Sequence, residues 1–393
     1  MVTDQDIVCL SSQDWDDLWT RKQRFMQAFA RRGNRVLYVE AQASMISVGI
    51  LRHDWRRAFR WCSGPRRVEE NLYVGTLPLV LPGFQMSLAV NRINNIVLGR
   101  LLRRWTYRLG FRKPVLWTYN PYSESLVGAL DEKLVVYECV DELLASKGLV
   151  RRDVVAELER RLIRKADLVI VTHETLYRSK RPLARSIQLI PNGAEVEHFR
   201  KAAAPETRVA PELVGMRRPV VGFVGTIQYW IDMELIRFLA LAQPEWSFVL
   251  IGPIGRLAAT EKIQGLANVH TLGRRRYEDL PSYVKGFDVC LNPYVVDETA
   301  MSCSPLKLYE YLAAGKPVVS VDMPEARKFD GLVAVGRDYH EIHALLLEAV
   351  KGRDADPARI EARMAAVQPH SWDRRFADLE KTLEPILDGG GRS

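Results

Sequence analysis

The chain lacks several features that would place it in other classes of protein. Its 393 residues contain no run of eighteen uncharged apolar residues, so no segment is predicted to span a membrane. The start, Met1–Asp6, is acidic and has no apolar core, so we expect no signal peptide. The five cysteines are scattered without Cys-x-x-Cys spacing. This spacing argues against a cysteine metal site and predicts a reduced, cytosolic protein.

Acidic residues are also missing from one region. The stretch 91–113 holds seven Lys/Arg and no acid, and the wider stretch 50–113 holds thirteen Lys/Arg and three acids. Since the formal net charge of the chain is +8, residues 50–113, at +10, carry the whole basic excess. The apolar fraction of 47% and the charged fraction of 26% are those of a globular protein.

Short apolar runs alternate with helical patterns along the chain. The runs are too continuous for half-exposed antiparallel strands and are typical of buried parallel strands. The predicted strands are 7–10, 35–40, 115–118, 134–138, 168–172, 187–190, 219–224, 247–251, 269–272, 289–292, 318–321 and 332–335. The predicted helices are 20–32, 153–165, 233–241, 277–286, 306–314, 339–351 and 372–386. Two successive βα series predict an α/β fold of two Rossmann-like βαβ domains facing a cleft. We place the boundary in the Ala/Pro-rich stretch 201–211, which gives domains 1–200 and 201–370.

The most informative motif is Ser304-Pro-Leu-Lys-Leu-Tyr-Glu-Tyr-Leu-Ala-Ala-Gly-Lys-Pro-Val-Val-Ser320. Lys307 and Glu310 are three apart on its helix and therefore share one face. Beside the N–H groups of a helix start, this pair suits a diphosphate and a ribose. From spacing alone, a solvated ion pair is the simpler interpretation. The motif closely resembles the nucleotide-sugar motif of GT-B glycosyltransferases, in which the Glu binds the ribose.

The resemblance extends to other segments and implies roles for them. Gly222-Phe-Val-Gly-Thr226 resembles the GT-B loop at the donor diphosphate and acceptor, so Gly225 and Thr226 are candidate donor-binding residues. A tight turn after a strand is an equally good interpretation. The loop at Tyr277 would hold the nucleobase, and a Ser-x-x-Lys-Leu segment implies that Ser304 contacts the donor phosphates. Residues 1–200 would bind the acceptor and residues 201–370 the nucleotide sugar, with 371–393 crossing back to the first domain.

The sequence departs from the retaining members of this group. These usually carry a Glu-x7-Glu pair, and here the earlier position falls on Ser302. An inverting enzyme needs a general base, and Asp141 follows an apolar strand where an active site is expected. Asp141 also matches the catalytic Asp of the bacterial exopolysaccharide glucuronosyltransferases in a Val-Tyr-x-x-x-Asp segment. Its alternatives are a helix cap or a surface acid. His173 is a rival base or a structural histidine.

The loop after the first strand, Ser11–Gln23, resembles that of teichuronic-acid-type transferases. It implies that Trp15, Trp19 and Gln23 help to form the acceptor pocket, with His173 on the same side. The two tryptophans can stack on sugars or can belong to the core. Asp14-Trp-Asp16 satisfies the DxD pattern of metal-binding transferases. Because two acids in a polar loop are common by chance and GT-B enzymes do not use such a site, we expect no metal ion and no cofactor.

The basic stretch contains apolar residues at near-helical spacing, preceded by the apolar segment Pro78–Phe84, which looks exposed. Arg100, Arg103, Arg104 and Arg108 would form a basic stripe beside the apolar one. Such an element can lie on anionic lipid, or it can be an ordinary amphipathic helix with a solvated face. Nucleic acid is not expected, since no recognition motif accompanies the charge.

Together these features predict an inverting GT-B glycosyltransferase of cell-surface polysaccharide synthesis, of the hexosyl- or glucuronosyltransferase type, with Asp141 as the base. It would transfer a sugar from a nucleotide diphosphate donor, UDP-linked, to a lipid-linked or glycan acceptor. We expect it to be cytoplasmic and bound peripherally to the inner face of the membrane. The alternatives are a retaining GT-B transferase, a nucleotide-sugar epimerase, and a non-catalytic module that binds lipid or glycan.

Overall fold

The protein consists of two compact units. The computed structural model describes residues 1–17, 19–44, 57–141, 151–297, 305–351 and 356–388. The first unit is Met1–Pro191 together with Arg375–Ser393, and the second is Asn192–Arg374. Each unit has its own sheet and its own hydrophobic core.

Within the described residues, the sheet of the first unit has eight strands. They are β1 (Asp6–Leu10), β2 (Arg35–Val39), β3 (Arg66–Glu69), β4 (Leu72–Gly75), β5 (Val115–Thr118), β6 (Leu134–Cys139), β7 (Leu168–Val171) and β8 (Ile187–Leu189). Their order is β3-β4-β2-β1-β5-β6-β7-β8, and only the pair β3–β4 is antiparallel. Strands β3 and β4 were not predicted. The edge strand β3 is charged and has no apolar run, and β4 is a short strand of four residues.

The sheet of the second unit has six strands in the part of the chain that the structure describes. They are β9 (Val220–Val224), β10 (Ser247–Ile251), β11 (Val269–Gly273), β12 (Val289–Asn292), β13 (Val318–Val321) and β14 (Val333–Gly336). Their order is β11-β10-β9-β12-β13-β14, with parallel pairing throughout. The predicted α/β class is confirmed, with two sheets in which parallel pairing dominates.

Helices cover the sheets. They are α1 (Arg21–Arg31), α2 (Arg57–Arg60), α3 (Leu88–Arg108), α4 (Arg152–Lys165), α5 (Glu174–Lys180), α6 (Val196–Arg200), α7 (Met233–Ala242), α8 (Leu280–Gly286), α9 (Leu306–Ala313), α10 (Pro324–Arg327), α11 (Tyr339–Val350), α12 (Pro357–Val367) and α13 (Trp372–Asp388). The helix predicted for 277–286 begins as a 3-10 turn and becomes α8 only at Leu280. No helix among the described residues is long and apolar enough to cross a membrane.

The terminal helix α13 returns to the first unit. From Arg375 onwards its residues belong to that unit. Phe376 is buried and its ring lies 4.7 Å from the ring of Phe29 on α1. The apolar side of α13 therefore completes the core of the first unit.

The apolar residues before and within α3 are distributed differently from the sequence-based expectation. In Pro78–Phe84, which the sequence presents as an exposed loop, Val80 and Phe84 are core residues and Leu81 is exposed. On α3, Leu102 and Trp105 are buried, whereas Ile93, Ile96 and Val97 are exposed. The apolar residues of α3 thus form two groups, one buried in the core and one exposed to water, where a single stripe was expected.

Candidate functional site

The carboxyl ends of the central strands in the first unit carry a buried network of charge. Glu138 lies in β6 and is fully buried. It accepts hydrogen bonds from Nε of Arg21, at the start of α1, and from Nε1 of Trp117 in β5, the latter at 2.8 Å. Arg21 also donates to the carbonyl of Ile190 at 3.1 Å. The two charges are therefore dry, paired and hydrogen-bonded, which is the condition under which a buried ion pair persists.

Asp141 lies three residues beyond Glu138, past the end of β6, and its side chain is exposed. Loss of hydration nevertheless raises the pKa of the Asp141 carboxyl, and the opposing charges of Lys22 and Arg21 lower it. Desolvation likewise lowers the pKa of Lys22, which the charges of Asp141 and Glu138 raise. Lys22 lies over the ring of Tyr119, with Nζ 5.6 Å from the ring centroid. The site thus combines a reachable carboxylate with a nearby cation.

His173 is close to Asp141 in the fold. The hydroxyl of the preceding residue, Thr172, donates to the carbonyl of Val140 at 2.6 Å, which joins the ends of β7 and β6. His173 itself is buried and caps α5, where its Nδ1 accepts from the N–H of Leu176 at 3.4 Å. This contact gives His173 a structural role at the same edge of the sheet.

The loop 11–17 is held by hydrogen bonds to Tyr38 and Glu40, and Gln23 donates to the carbonyl of Asp14 at 3.1 Å. Gln23 is fully buried and forms a capping box with Thr20, whose N–H donates to Gln23 Oε1 at 3.1 Å. Trp15 is buried, and its ring contacts Tyr38 edge-on at 5.0 Å and Trp19 at 5.2 Å. Of these three predicted acceptor residues, Trp19 is the one whose side chain stays partly exposed.

The acidic residues of the loop do not form a metal site with other residues in the described part of the chain. Asp16 pairs with Arg66 at 2.6 Å. No group of three or more His, Cys, Asp or Glu side chains that could hold a metal ion occurs among the described residues. In Asp14-Trp-Asp16, the carboxylate of Asp16 is thus held in an ion pair.

In the second unit, α9 places Lys307 and Glu310 together. Lys307 Nζ lies 2.6 Å from Glu310 Oε2, with 20% of the lysine side chain and 5% of the glutamate side chain exposed. The next residue, Tyr311, accepts a hydrogen bond at its hydroxyl from the N–H of Val224, at 2.7 Å. Because Val224 ends β9, this bond places α9 beside Gly225 and Thr226. Four of the predicted donor residues therefore lie at one edge of the second sheet.

The glycines of this edge are explained by close approach of the backbone. Gly252, after β10, has a φ of +146°, and a Cβ atom there would lie 1.9 Å from the carbonyl oxygen of Gly225. Gly222 faces the ring of Phe287, which leaves no room for a side chain. Both observations account for glycine by packing inside the unit.

Tyr277 lies in the loop after β11, and its ring is covered on one face by His198 of α6. The two rings are stacked with centroids 4.6 Å apart, and His198 Nε2 lies 2.9 Å from the carbonyl oxygen of Tyr277. The helix α6 in turn packs on α9. Ser304, the remaining predicted donor residue, lies outside the described residues.

Sequence reasoning missed Arg21, Lys22 and Glu138 as parts of this site. Two signals were present in the sequence. A carboxylate within an apolar strand needs a buried partner. Cations in the first turn of a helix oppose the helix dipole, so they indicate carboxylates elsewhere in the fold.

Comparisons with known proteins show which sequences and folds this chain resembles. Residues 218–351 match the model of the family described as "Glycosyl transferases group 1". The fold matches the UDP-forming α,α-trehalose-phosphate synthase of Burkholderia vietnamiensis, at TM-score 0.71 and 13% identity, over 99% of this chain and all of that one. It also matches a trehalose-6-phosphate synthase studied for glycosyl transfer with retention, at TM-score 0.66 and 13% identity, over 96% of this chain and 99% of that one.

The chain thus has the GT-B fold. Its residues 218–351 are similar to group 1 glycosyltransferases, and the protein is a glycosyltransferase. This conclusion favours a transferase over the epimerase and the non-catalytic module. Over 284 residues the chain is 28% identical to the "Putative teichuronic acid biosynthesis glycosyltransferase TuaH" of Bacillus subtilis strain 168, covering 68% of this chain and 70% of that protein.

Proposed function

We propose that the protein transfers a sugar from a nucleoside diphosphate sugar, with UDP as the carrier, to a hydroxyl of a lipid-linked or glycan acceptor in cell-surface polysaccharide synthesis. The observation that carries this proposal is the Lys307–Glu310 pair on α9, next to the end of β9. The name of the relative TuaH supports the polysaccharide class, and the name of the UDP-forming synthase supports the nucleotide.

Donor binding exchanges the partner of Lys307. In the free protein its ammonium group neutralises Glu310. A diphosphate carries more negative charge than one carboxylate and attracts the ammonium more strongly. Once Lys307 turns to the diphosphate, an oxygen of Glu310 becomes available to accept from the ribose hydroxyls. The N–H groups at the start of α9, together with Ser304, Gly225 and Thr226, complete the diphosphate site, and Tyr277 borders the nucleobase.

The chemical step uses Asp141 as the general base. Its carboxylate takes the proton of the acceptor hydroxyl while the hydroxyl oxygen bonds to the anomeric carbon. The bond from that carbon to the diphosphate breaks, and the nucleoside diphosphate leaves with the electron pair. Lys307 and backbone N–H groups stabilise its charge, so we expect activity without a divalent metal ion. Attack from the side opposite the leaving group inverts the anomeric configuration.

A retaining transferase is the second candidate, because the chain shares its fold with a synthase studied for transfer with retention. The two mechanisms differ in the anomeric configuration of the product. Proton NMR of the product, taken before mutarotation or on a glycoside that cannot mutarotate, distinguishes them. Retention would remove the role of Asp141 as base.

The test of the donor site is calorimetric titration of UDP, GDP, CMP and dTDP into the wild type and Glu310→Ala. We expect one nucleoside diphosphate to bind with micromolar affinity, and the substitution to weaken it by about tenfold, or 1.4 kcal/mol. Glu361→Ala is the matched control, since Glu361 is an exposed helical glutamate of the same unit. Failure of all nucleotides to bind the wild type would refute the proposed donor site.

The acceptor part of the proposal places the enzyme in the cytoplasm at an anionic membrane surface, where a lipid-linked acceptor is found. Its support is the exposed side chains of Arg100, Arg103, Arg104 and Arg108 on α3. Arg103 donates to the carbonyl of Ala129, which leaves the other three better placed to meet lipid phosphates.

A further inference from the structure

In its first half, the helix α3 buries polar side chains and exposes apolar ones. Asn91, Asn94 and Asn95 are buried, whereas Ile93, Ile96 and Val97 have 52%, 49% and 54% of their surface exposed. An amphipathic helix of a globular unit normally has the opposite arrangement. A group of aliphatic side chains held in water requires a specific reason, because isolated exposed residues are common but clusters are not.

The buried asparagines explain how this orientation is maintained. Asn91 and Asn95 donate from Nδ2 to the carbonyl of Tyr122, at 2.9 and 2.6 Å. Asn94 accepts from the N–H of Leu81 at 3.0 Å and donates to its carbonyl at 3.1 Å. Turning the helix to bury the isoleucines would break these hydrogen bonds and leave polar groups without partners.

The same hydrogen bonds bring a further apolar side chain to the exposed group. Because Asn94 holds the backbone of Leu81 on both sides, Leu81 lies beside the first half of α3. Its side chain is 54% exposed. We call Leu81, Ile93, Ile96 and Val97 the apolar end of α3.

The basic residues continue the same face of the helix. At 3.6 residues per turn, Arg100, Arg104 and Arg108 project on the side of Ile93 and Val97, one to four turns further along. The side chains of these three arginines are exposed. The structure records no hydrogen bond or ion pair between them and any described residue. The sequence-based expectation of two stripes side by side is therefore replaced by one outward face, apolar at its start and basic at its end.

We propose that this outward face docks on an anionic lipid surface, with the apolar end inserted and the arginines bound to headgroup phosphates. The charge of the region selects this occupant, since residues 50–113 carry a net +10. Apolar insertion and headgroup attraction act together at a membrane interface. The helix lies along the surface, so that both ends make contact. The inference gives the membrane partner of the proposed function a defined surface, and it is tested without donor or acceptor.

The experiment is cosedimentation with vesicles of phosphatidylcholine alone and of phosphatidylcholine and phosphatidylglycerol in a ratio of about two to one. The apolar variant is Ile93→Gln/Ile96→Gln/Val97→Gln, and the basic variant is Arg100→Gln/Arg104→Gln/Arg108→Gln. Glutamine keeps helix propensity, and all six side chains are exposed, so both variants should fold. Leu241→Gln/Leu257→Gln is the matched control, since both leucines are exposed aliphatic residues of the second unit.

We expect the wild type and the control to bind the mixed vesicles equally. The apolar variant should lose at least about tenfold in partition coefficient. In the basic variant the partition coefficient should fall roughly fivefold for each arginine replaced. This variant should also lose most of the preference for phosphatidylglycerol and most of the sensitivity of binding to salt.

Binding of the apolar variant equal to that of the wild type would overturn the proposal, as would a wild type that binds neither vesicle. Light scattering identifies the main rival occupant, which is a second copy of the chain. If the wild type is a dimer that does not bind vesicles, and the apolar variant is a monomer, the outward face of α3 is a dimer interface. Nucleotide titration of the same samples reports the donor site separately, so failure of docking is not confused with failure of the proposed chemistry.

Discussion

The helices α1 and α9 both begin at the carboxyl edge of a parallel sheet, and both carry cations paired with carboxylates. On α9 the partners are Lys307 and Glu310, three residues apart on one helix. On α1, Arg21 pairs with Glu138, which is 117 residues away in the chain. Spacing along the sequence therefore reveals the first pair and not the second.

The two pairs also differ in their access to water, and this difference indicates different roles. The side chains of Arg21 and Glu138 are 1% and 0% exposed, whereas that of Lys307 is 20% exposed. An ion pair that is excluded from water and makes further hydrogen bonds would lose stability if either partner moved away. A pair at the surface of a site can exchange one partner for a ligand. We therefore propose that Arg21–Glu138 supports the first sheet edge and that Lys307–Glu310 binds the donor.

The largest expected effect is on the chemical step. Asp141→Asn removes the proposed base while keeping the size of the side chain, so kcat should fall by about a hundredfold to ten-thousandfold. Nucleotide affinity should be unchanged, because the proposed donor residues lie in the other unit. Steady-state rates and calorimetry on one preparation test both statements. A variant that retains most of its kcat would show that another group, such as His173, is the base.

The next effect is on stability, and it compares the two pairs directly. Glu138→Gln leaves the Arg21 guanidinium buried without its counter-charge and should lower the free energy of unfolding of the first unit by about 3–5 kcal/mol. Glu310→Gln should cost about 1 kcal/mol or less, since Lys307 can turn to water.

Urea unfolding followed by tryptophan fluorescence and circular dichroism measures this difference. The two units can unfold separately, so the transitions must be assigned before their midpoints are compared. Equal destabilisation by the two substitutions would remove the distinction between a supporting pair and an exchangeable one.

A smaller effect concerns phosphate binding. Lys307→Met should lower the affinity for the nucleoside diphosphate by roughly tenfold to a hundredfold, as expected for loss of a charge-assisted hydrogen bond. Binding of the corresponding nucleoside should not change, because it has no phosphate. Lys307→Arg keeps the charge and is the control. Equal loss of nucleoside and nucleotide binding would mean that Lys307 shapes the pocket and does not hold the diphosphate.

These residues also show what the sequence could predict. Strands such as β5, β10 and β12 were predicted to the residue, because continuous apolar runs have one stable environment in a parallel sheet. The pair on α9 is local and follows from helix geometry. The partners of Arg21, the exposed face of α3 and the burial of Trp15 depend on contacts between segments distant in the chain. Apolar spacing alone identified α3 as amphipathic, but the buried asparagines decide which side is outward.

The smallest predicted effect is on the pH dependence of catalysis, through Lys22. Loss of hydration raises the pKa of Asp141, and the nearby charges of Lys22 and Arg21 lower it. Lys22→Met removes one of these two charges, so the pKa of Asp141 should rise further. Because the base acts when deprotonated, activity is lost as pH falls through this pKa. The acidic limb of kcat/KM should therefore move to higher pH. Lys22→Arg retains the charge and should keep the wild-type limb. If the profiles of Lys22→Met and the wild type coincide, either Lys22 does not act on Asp141 or the limb belongs to another group, and the loss of kcat in Asp141→Asn separates these two explanations.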